Sequence, residues 1–414
     1  MAGNTGKKWV LSCLGVSLAA LLFSLIVAEG VLRYLATGPM RVNHRNFYQW
    51  DELLGWAKKP NATRTNLTEE FRAVEAVNSM GIRGPDYSFA KAANEYRILV
   101  LGDSYAEGYT VDFDDLCSET LKSILNSEAS GPYFQVINCG TVGYSTDQEL
   151  LFYKRDGRRF NPDLVILMFC ENDTWDNASS AEVYGKFAPQ FRIEGDHLKL
   201  VPACAQSLSP SMVPDSPPRP SPDINEWLKK HWRFYGLLLD GLVGLNLLSP
   251  EPVIVYPLPD SLRVLSRKPD PEVEHAWQIT ESVLVDLSKT VEESGASLLV
   301  AYVPIIWTVS PDAWTTVRRK YGMTGQEWDP DLVEKRLVQI CKKNAIECLP
   351  TISVFKERAA AKGKTGDYYY HTRDGHWNAA GHRLFGQMLA ERIQARQERR
   401  YFTTGTGALS RSGR

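Results

Sequence analysis

The sequence lacks any long stretch of one charge sign. Across 414 residues, 47 Lys and Arg stand against 49 Asp and Glu, a formal net charge of −2. The basic residues are scattered, so the electrostatic footprint of a nucleic-acid surface is missing, and nucleic acid is excluded as a partner. No glycine-rich phosphate loop of P-loop type is present, and no His and Cys cluster at metal-ligand spacing. Neither a metal nor another cofactor is therefore expected. No internal repeat is visible. Cysteine is scarce: the chain has seven, and six remain if Cys13 lies in an apolar amino-terminal segment. An even number permits pairing in an oxidising compartment. Cys341 and Cys348 are the pair to test first, with simple packing as the default for each.

What the chain does have begins at its amino terminus. After a short tail over 1–8, residues 9–28 run WVLSCLGVSLAALLFSLIVA without a charge. At helical rise that length crosses a hydrocarbon layer of about 30 Å, so a transmembrane anchor is expected. A cleaved signal peptide is the alternative, disfavoured by the long apolar run and by Ile26-Val27-Ala28 being a poor small-residue cleavage site. Lys7 and Lys8 before the segment are balanced by Arg33, Arg41 and Arg45 after it, which leaves orientation open. Residues 29–92 read as a juxtamembrane extension, with turns over 77–88 and no regular element assigned.

From 93 to 398 the pattern changes. Residues 96–104, 134–140, 162–173 and 296–304 are apolar, β-branched runs that finish in turn or polar residues, the profile of buried parallel strands. Residues 345–350 suggest an edge strand. Helix-like periodicity lies between and after them, at 116–128, 273–295, 330–344 and 379–398. Strand and helix in alternation imply an α/β fold with a parallel sheet, whose ligands bind beyond the carboxyl ends of the strands. An insertion is expected at about 176–270. Within it, 202–222 is too rich in proline for helix or central strand. The stretch 224–249 could be a cap, a membrane-surface element or an ordinary insertion helix. Residues 399–414 read as a disordered tail.

The chemistry-bearing residues sit at the predicted strand ends. GDSYAEG (102–108) places Ser104 on a tight turn, where a hydroxyl can be displayed to a base. The bland alternative is a helix cap. DGHWNAAGH (374–382) supplies His376 as that base and Asp374 to hold its tautomer, in a loop before the last helix. His382 is a rival base, but it falls inside the helix. An acyl-transfer oxyanion would need donors already in place. Ser104 N–H, the Gly140 N–H in NCGTVGYS (138–145) and the Asn172 amide in CEND (170–173) are the candidates. Read singly, Gly140 is a turn glycine and Asn172 an Asx-turn residue. Together the four segments converge on one crevice.

In order, these blocks resemble those of the SGNH hydrolases, also called GDSL esterases, and in particular membrane-anchored bacterial members. The resemblance covers most of 95–395. It implies a flavodoxin-like three-layer α/β/α fold, with Ser104 as nucleophile, His376 as base, and Ser104, Gly140 and Asn172 as the oxyanion hole. Two positions depart from the pattern. Cys170 stands where the third block usually has Gly. Arg373 stands where the acid usually lies, three before the His, so Asp374, two before it, is the acid candidate. The Asp-x-His spacing followed by Trp377 resembles SGNH-like O-acetyltransferases that modify exported polysaccharides.

The expected activity is cleavage of an oxygen ester through an acyl-enzyme on Ser104. The expected substrate is an acyl ester, with a glycan or a lipid as the candidate carriers, and the catalytic domain is expected outside the cytoplasm. O-acyl transfer to an exported polysaccharide is the closest alternative. A non-catalytic SGNH-fold scaffold or binding protein is the alternative from another class.

Overall fold

The computed structural model describes residues 47–127, 131–179, most of 182–201 and 256–405, with isolated residues in 15–31 and 232–238. The chain divides into two compact units. One joins Met1–Met40 with Gln206–Val253 and lies almost wholly outside the described residues. The expected anchor, the segment 224–249 and all but the first four residues of 202–222 fall there. Among the described residues, no helix is long and apolar enough to cross a membrane. The other unit, Arg41–Ala205 with Ile254–Arg414, contains everything below.

Two antiparallel hairpins open that unit: β1 (Tyr48–Asp51) with β2 (Gly55–Lys58), then β3 (Thr63–Leu67) with β4 (Arg72–Ala76). The second alternates burial with period two, but Arg64, Asn66 and Glu75 point inward while Leu67 and Val74 are exposed. This is the reverse of the usual apolar-in pattern, which is why residues 29–92 gave no strand signal.

The central sheet follows. Its strands are β5 (Glu95–Gly102), β6 (Tyr133–Asn138), β7 (Leu164–Phe169), β12 (Ser297–Tyr302) and β13 (Glu347–Leu349). They lie in the order β6-β5-β7-β12-β13, all parallel. Every residue of β7 is buried, so both sheet faces are covered and the strand reads as a continuous apolar run. Between β7 and β12 lie two small hairpins, β8–β9 (Glu182–Val183, Lys186–Phe187) and β10–β11 (Gln190–Glu194, His197–Val201).

Helices α1 (Cys117–Leu125), α2 (Thr146–Arg155), α3 (Pro271–Glu293), α4 (Pro311–Lys320), α5 (Leu332–Lys343), α6 (Ile352–Ala361) and α7 (Ala379–Gly405) connect and flank the strands. On one face Val100, Ile166 and Ala301 pack with Leu121 of α1, Phe355 of α6 and Phe385 of α7. On the other, Leu101, Leu167 and Val300 pack with Leu150 of α2, Leu284 of α3 and Leu337 of α5. Each such side chain, fully buried, is worth roughly 1.5–3 kcal/mol, which makes this double core the frame on which the loops are hung. Helix α7 runs on to Gly405, into the stretch read from sequence as a disordered tail.

The strand order places β5 between β6 and β7, so successive connections leave it in opposite directions. A crevice opens beyond the carboxyl ends at such a reversal. Register brings the ends level: Leu99 pairs with both Ile137 and Val165. Cys117, Cys139, Cys170, Cys341 and Cys348 are all free thiols. Cys341 and Cys348 stand as separate thiols rather than as the disulfide the sequence permits.

Candidate active site

Ser104 opens a single helical turn, Ser104–Glu107, directly after β5. Asp103 caps it, its carboxylate accepting the Tyr105 N–H at 2.9 Å. The turn leaves the Ser104 hydroxyl half-buried at the crevice, 2.8 Å from Nε2 of His376, 272 residues further on. The other ring nitrogen, Nδ1, lies 2.8 Å from Oδ1 of Asp374. The Asp-x-His spacing therefore does bring the carboxylate to the ring. Burial works to raise the Asp374 pKa, but hydrogen bonds from His376 and Tyr109 outweigh it and hold the carboxyl below its ordinary value. It stays charged in neutral solution.

The base loop is fixed from several sides. The Trp377 side chain is fully buried, its Nε1–H donating to Pro304 O at 3.2 Å. Thr110 Oγ1 donates to Trp377 O at 2.7 Å. Tyr105 lies against the imidazole, ring centroids 4.6 Å apart, and its hydroxyl donates to Gly375 O at 3.0 Å. Asn378 Oδ1 accepts the Ala380 and Gly381 N–H groups at the start of α7. Tyr109, which no sequence motif marks, completes the site. Its hydroxyl donates to Asp374 Oδ2 at 2.9 Å and lies 3.1 Å from His376 Nδ1. Its one signal is adjacency to the serine heptad. His382 is buried within α7, where burial lowers its pKa to about 3 and the Cys117 N–H meets its Nδ1 at 3.4 Å. It is a neutral packing residue away from the cleft.

The expected oxyanion donors are brought together only in part. Gly140 is not in the cleft. Its N–H donates to Asn138 Oδ1 at 2.9 Å, and a Cβ there would lie 2.4 Å from the Glu107 nitrogen. Its lack of a side chain serves close packing of the β6 exit against the serine turn. Three residues later, Gly143 lines the cleft with a positive φ of 76°, a conformation that favours glycine. No acceptor takes its N–H among the described residues. Asn172 lines the same cleft, one amide N–H donating to Asp176 Oδ2 at 3.0 Å; its amide carries a second N–H.

The cleft, about 310 Å³, is lined by Ser104, Gly143, Asn172 and His376, with Glu171 and Trp307 in its wall. The indole Nε1–H donates to Glu171 Oε2 at 3.3 Å. Ser261 and Leu262, from the end of the expected insertion, also reach it. A second chamber of about 590 Å³ shares Leu262, Trp307, Asp374 and Gly375 with the first, so the two form one groove. Among the described residues, no group of three or more His, Cys, Asp or Glu side chains could hold a metal.

Carboxyls around this site are buried, and desolvation pushes Asp103 up to about 6, Asp147 to about 7 and Glu171 to about 8. The folded protein therefore keeps protons that the unfolded chain, with carboxyl values near 4, releases. Their contribution to stability is complete below about pH 4 and is lost as pH rises through each folded value. His382 opposes this, but only as pH falls below about 6.5, where the unfolded histidine takes up a proton. Thermal unfolding followed between pH 6.5 and 8.5 is accordingly expected to move to lower temperature by several degrees. Glu171→Gln is expected to flatten the slope, and a rising or flat wild-type profile would contradict the assignment.

A profile of the GDSL-like lipase/acylhydrolase family matches residues 100–384. The chain belongs to that family. It is a serine hydrolase of the SGNH type, acting on esters. Its sheet is the α/β arrangement that membership implies. The match begins inside β5 and ends within α7, so the hairpins β1–β4 lie outside it. Among solved structures, the chain is similar to the acetylxylan esterase Axe2 from Geobacillus stearothermophilus, at 13% identity and TM-score 0.38, covering 72% of this chain and 94% of that one. It is also similar to TesA, at 11% identity and TM-score 0.35, covering 71% and 95%. The acetyl xylan esterase AlAXEase matches at 11% identity and TM-score 0.36, covering 72% and 99%. The search of curated proteins found no match.

Proposed function

We propose that this GDSL-family enzyme cleaves an oxygen ester by a Ser104–His376–Asp374 acyl-enzyme cycle. The observation that carries the reading is the unbroken chain of two 2.8 Å contacts from the serine hydroxyl through the imidazole to the carboxylate. His376 Nε2 takes the Ser104 proton as Oγ attacks the carbonyl carbon. The same nitrogen then returns that proton to the departing alcohol, leaving the acyl group on Oγ. Asp374 remains ionised throughout, holding the proton on Nδ1 and balancing the imidazolium. Ser104 N–H, Gly143 N–H and the Asn172 amide receive the oxyanion, with Gly143 in the role first expected of Gly140. Water, deprotonated by His376, releases the acid and restores Oγ–H.

A second reading, transfer to an acceptor alcohol, is favoured by one feature. The larger chamber abuts the Asp374–Gly375 wall beside the base, the side from which a hydroxyl nucleophile would replace water. The two readings separate by product analysis. With an activated acetyl ester as donor, hydrolysis predicts acetate in the same yield with and without added oligosaccharide. Transfer predicts that the oligosaccharide lowers the acetate yield and carries the missing acetyl groups. Residues 9–28 are proposed as a single membrane anchor with the catalytic unit outside the cytoplasm. Protease treatment of intact cells should then degrade that unit, and complete protection would overturn the topology.

A further inference from the structure

We infer that the amino-terminal double hairpin, residues 47–76, is a positioning module that holds the serine turn, the oxyanion loop and the base loop in mutual register. The inference rests on the esterase reading for its catalytic consequence, but the geometry concerns segments that the family match does not include.

Glu107 is the first anchor. It ends the helical turn that Ser104 begins, and its side chain is fully buried. Oε1 accepts from Tyr48 OH at 2.6 Å and from Arg64 Nη2 at 2.7 Å, both on the hairpins. Oε2 accepts the Val142 N–H at 2.8 Å, one residue before Gly143. A single carboxylate thus joins hairpin, nucleophile turn and oxyanion loop. Arg64 is itself held by Glu75 at 2.7 Å, across the β3–β4 pair. Lys58 of β2 donates to Gly140 O and lies 3.7 Å from Glu107 Oε2.

Glu70 is the second anchor, at the tip of the β3–β4 hairpin. Its carboxylate accepts the Arg373 and Asp374 N–H groups, each at 3.0 Å, and the Thr372 hydroxyl at 3.1 Å. Glu69 pairs with the Arg373 guanidinium. Phe71 packs against His371, with ring centroids 4.7 Å apart and planes tilted by 46°. The acid member Asp374, displaced by one residue from the usual family spacing, is thereby held by its own backbone nitrogen.

A buried ionic cluster is weak evidence for stability, because an apolar replacement of similar volume is often as stable. What it supplies is geometry: each ion here terminates on a loop whose displacement by 1 Å would cost turnover. Glu70 and Glu107 are positioning residues, since neither touches the cleft.

The test uses the full chain with Glu70→Gln and Glu107→Gln, read by hydrogen–deuterium exchange and by the rate at which a fluorophosphonate labels Ser104. Glu70→Gln is expected to raise exchange over 371–376 while leaving 138–145 unchanged. Glu107→Gln is expected to raise it over 138–145. Labelling should slow about tenfold in each, equivalent to losing one hydrogen bond's worth of alignment, with KM for a small ester changed less than twofold. Unchanged exchange in both loops of a folded variant would overturn the inference. So would an even rise across β5, β7 and both loops, which marks general destabilisation. If Glu107→Gln does not fold, Glu70→Gln, on the surface, decides alone. If the wild type resists the probe, the esterase reading fails by that result, while the exchange pattern still decides the positioning role.

Discussion

Asp374→Asn is expected to lower kcat on a small activated ester about 10³- to 10⁴-fold without altering the fold. The carboxylate accepts from His376 Nδ1, and this fixes the ring proton on Nδ1 and leaves Nε2 free to receive the Ser104 proton. An amide in the same place can donate to Nδ1 instead. The proton then moves to Nε2, which can no longer act as a base. Tyr109→Phe removes one hydrogen bond from an uncharged donor to the same carboxylate and leaves the His376 contact in place, and its cost should be nearer tenfold. Steady-state kinetics on the two variants check this. A loss of tenfold or less in Asp374→Asn would show that the ring is oriented by something other than this carboxylate.

Ser104→Ala and His376→Ala should each lower kcat roughly 10⁴-fold or more, and the double variant should be no worse than either alone. The two side chains act as one unit: without the base the hydroxyl is a weak nucleophile, and without the hydroxyl the base has nothing to activate. Residual turnover would come from the oxyanion donors and binding. His382→Asn offers the contrast. That ring sits buried in α7, so its loss should cost stability by calorimetry and leave the folded enzyme's kcat within a few fold. Additive losses at Ser104 and His376 would mean that the 2.8 Å contact between them is not used in the reaction.

The sheet was legible because β5, β7 and β12 are covered on both faces and read as unbroken apolar runs, which no other arrangement of that length explains as simply. Ser104, Asn172 and His376 were legible because each follows a strand or precedes a helix at a place where a polar residue has no packing duty. The hairpins β1–β4 were not legible. β1 and β2 are only four residues each, and the inward positions of β3 and β4 carry Arg64, Asn66 and Glu75, which a period-two search for apolar residues passes over. Gly140 and Gly143 stand in one motif, and only the turn after β6 decides which N–H meets the cleft. In the folded chain the first glycine leans on Glu107 and the second faces Ser104's cleft. Glu70 left no trace in sequence, since its partner Asp374 lies 304 residues away.

The departures at Arg373 and Asp374 acquire a physical sense together. The carboxylate that reaches the imidazole is two residues before it, and Arg373 turns outward to Glu69, with its backbone and that of Asp374 held by Glu70. The backbone that presents the Asp374 carboxylate to the ring is thus held by a residue outside the matched family domain.

The central claim, that Ser104 is a nucleophile activated by His376, is tested most directly by treating the purified chain with a fluorophosphonate and mapping the modified peptide by mass spectrometry. The expected result is one adduct, on the peptide containing Ser104, present in wild type and His382→Asn and absent in Ser104→Ala and His376→Ala. An unmodified Ser104 in folded wild-type protein, or an adduct that persists in His376→Ala at the wild-type rate, would contradict it.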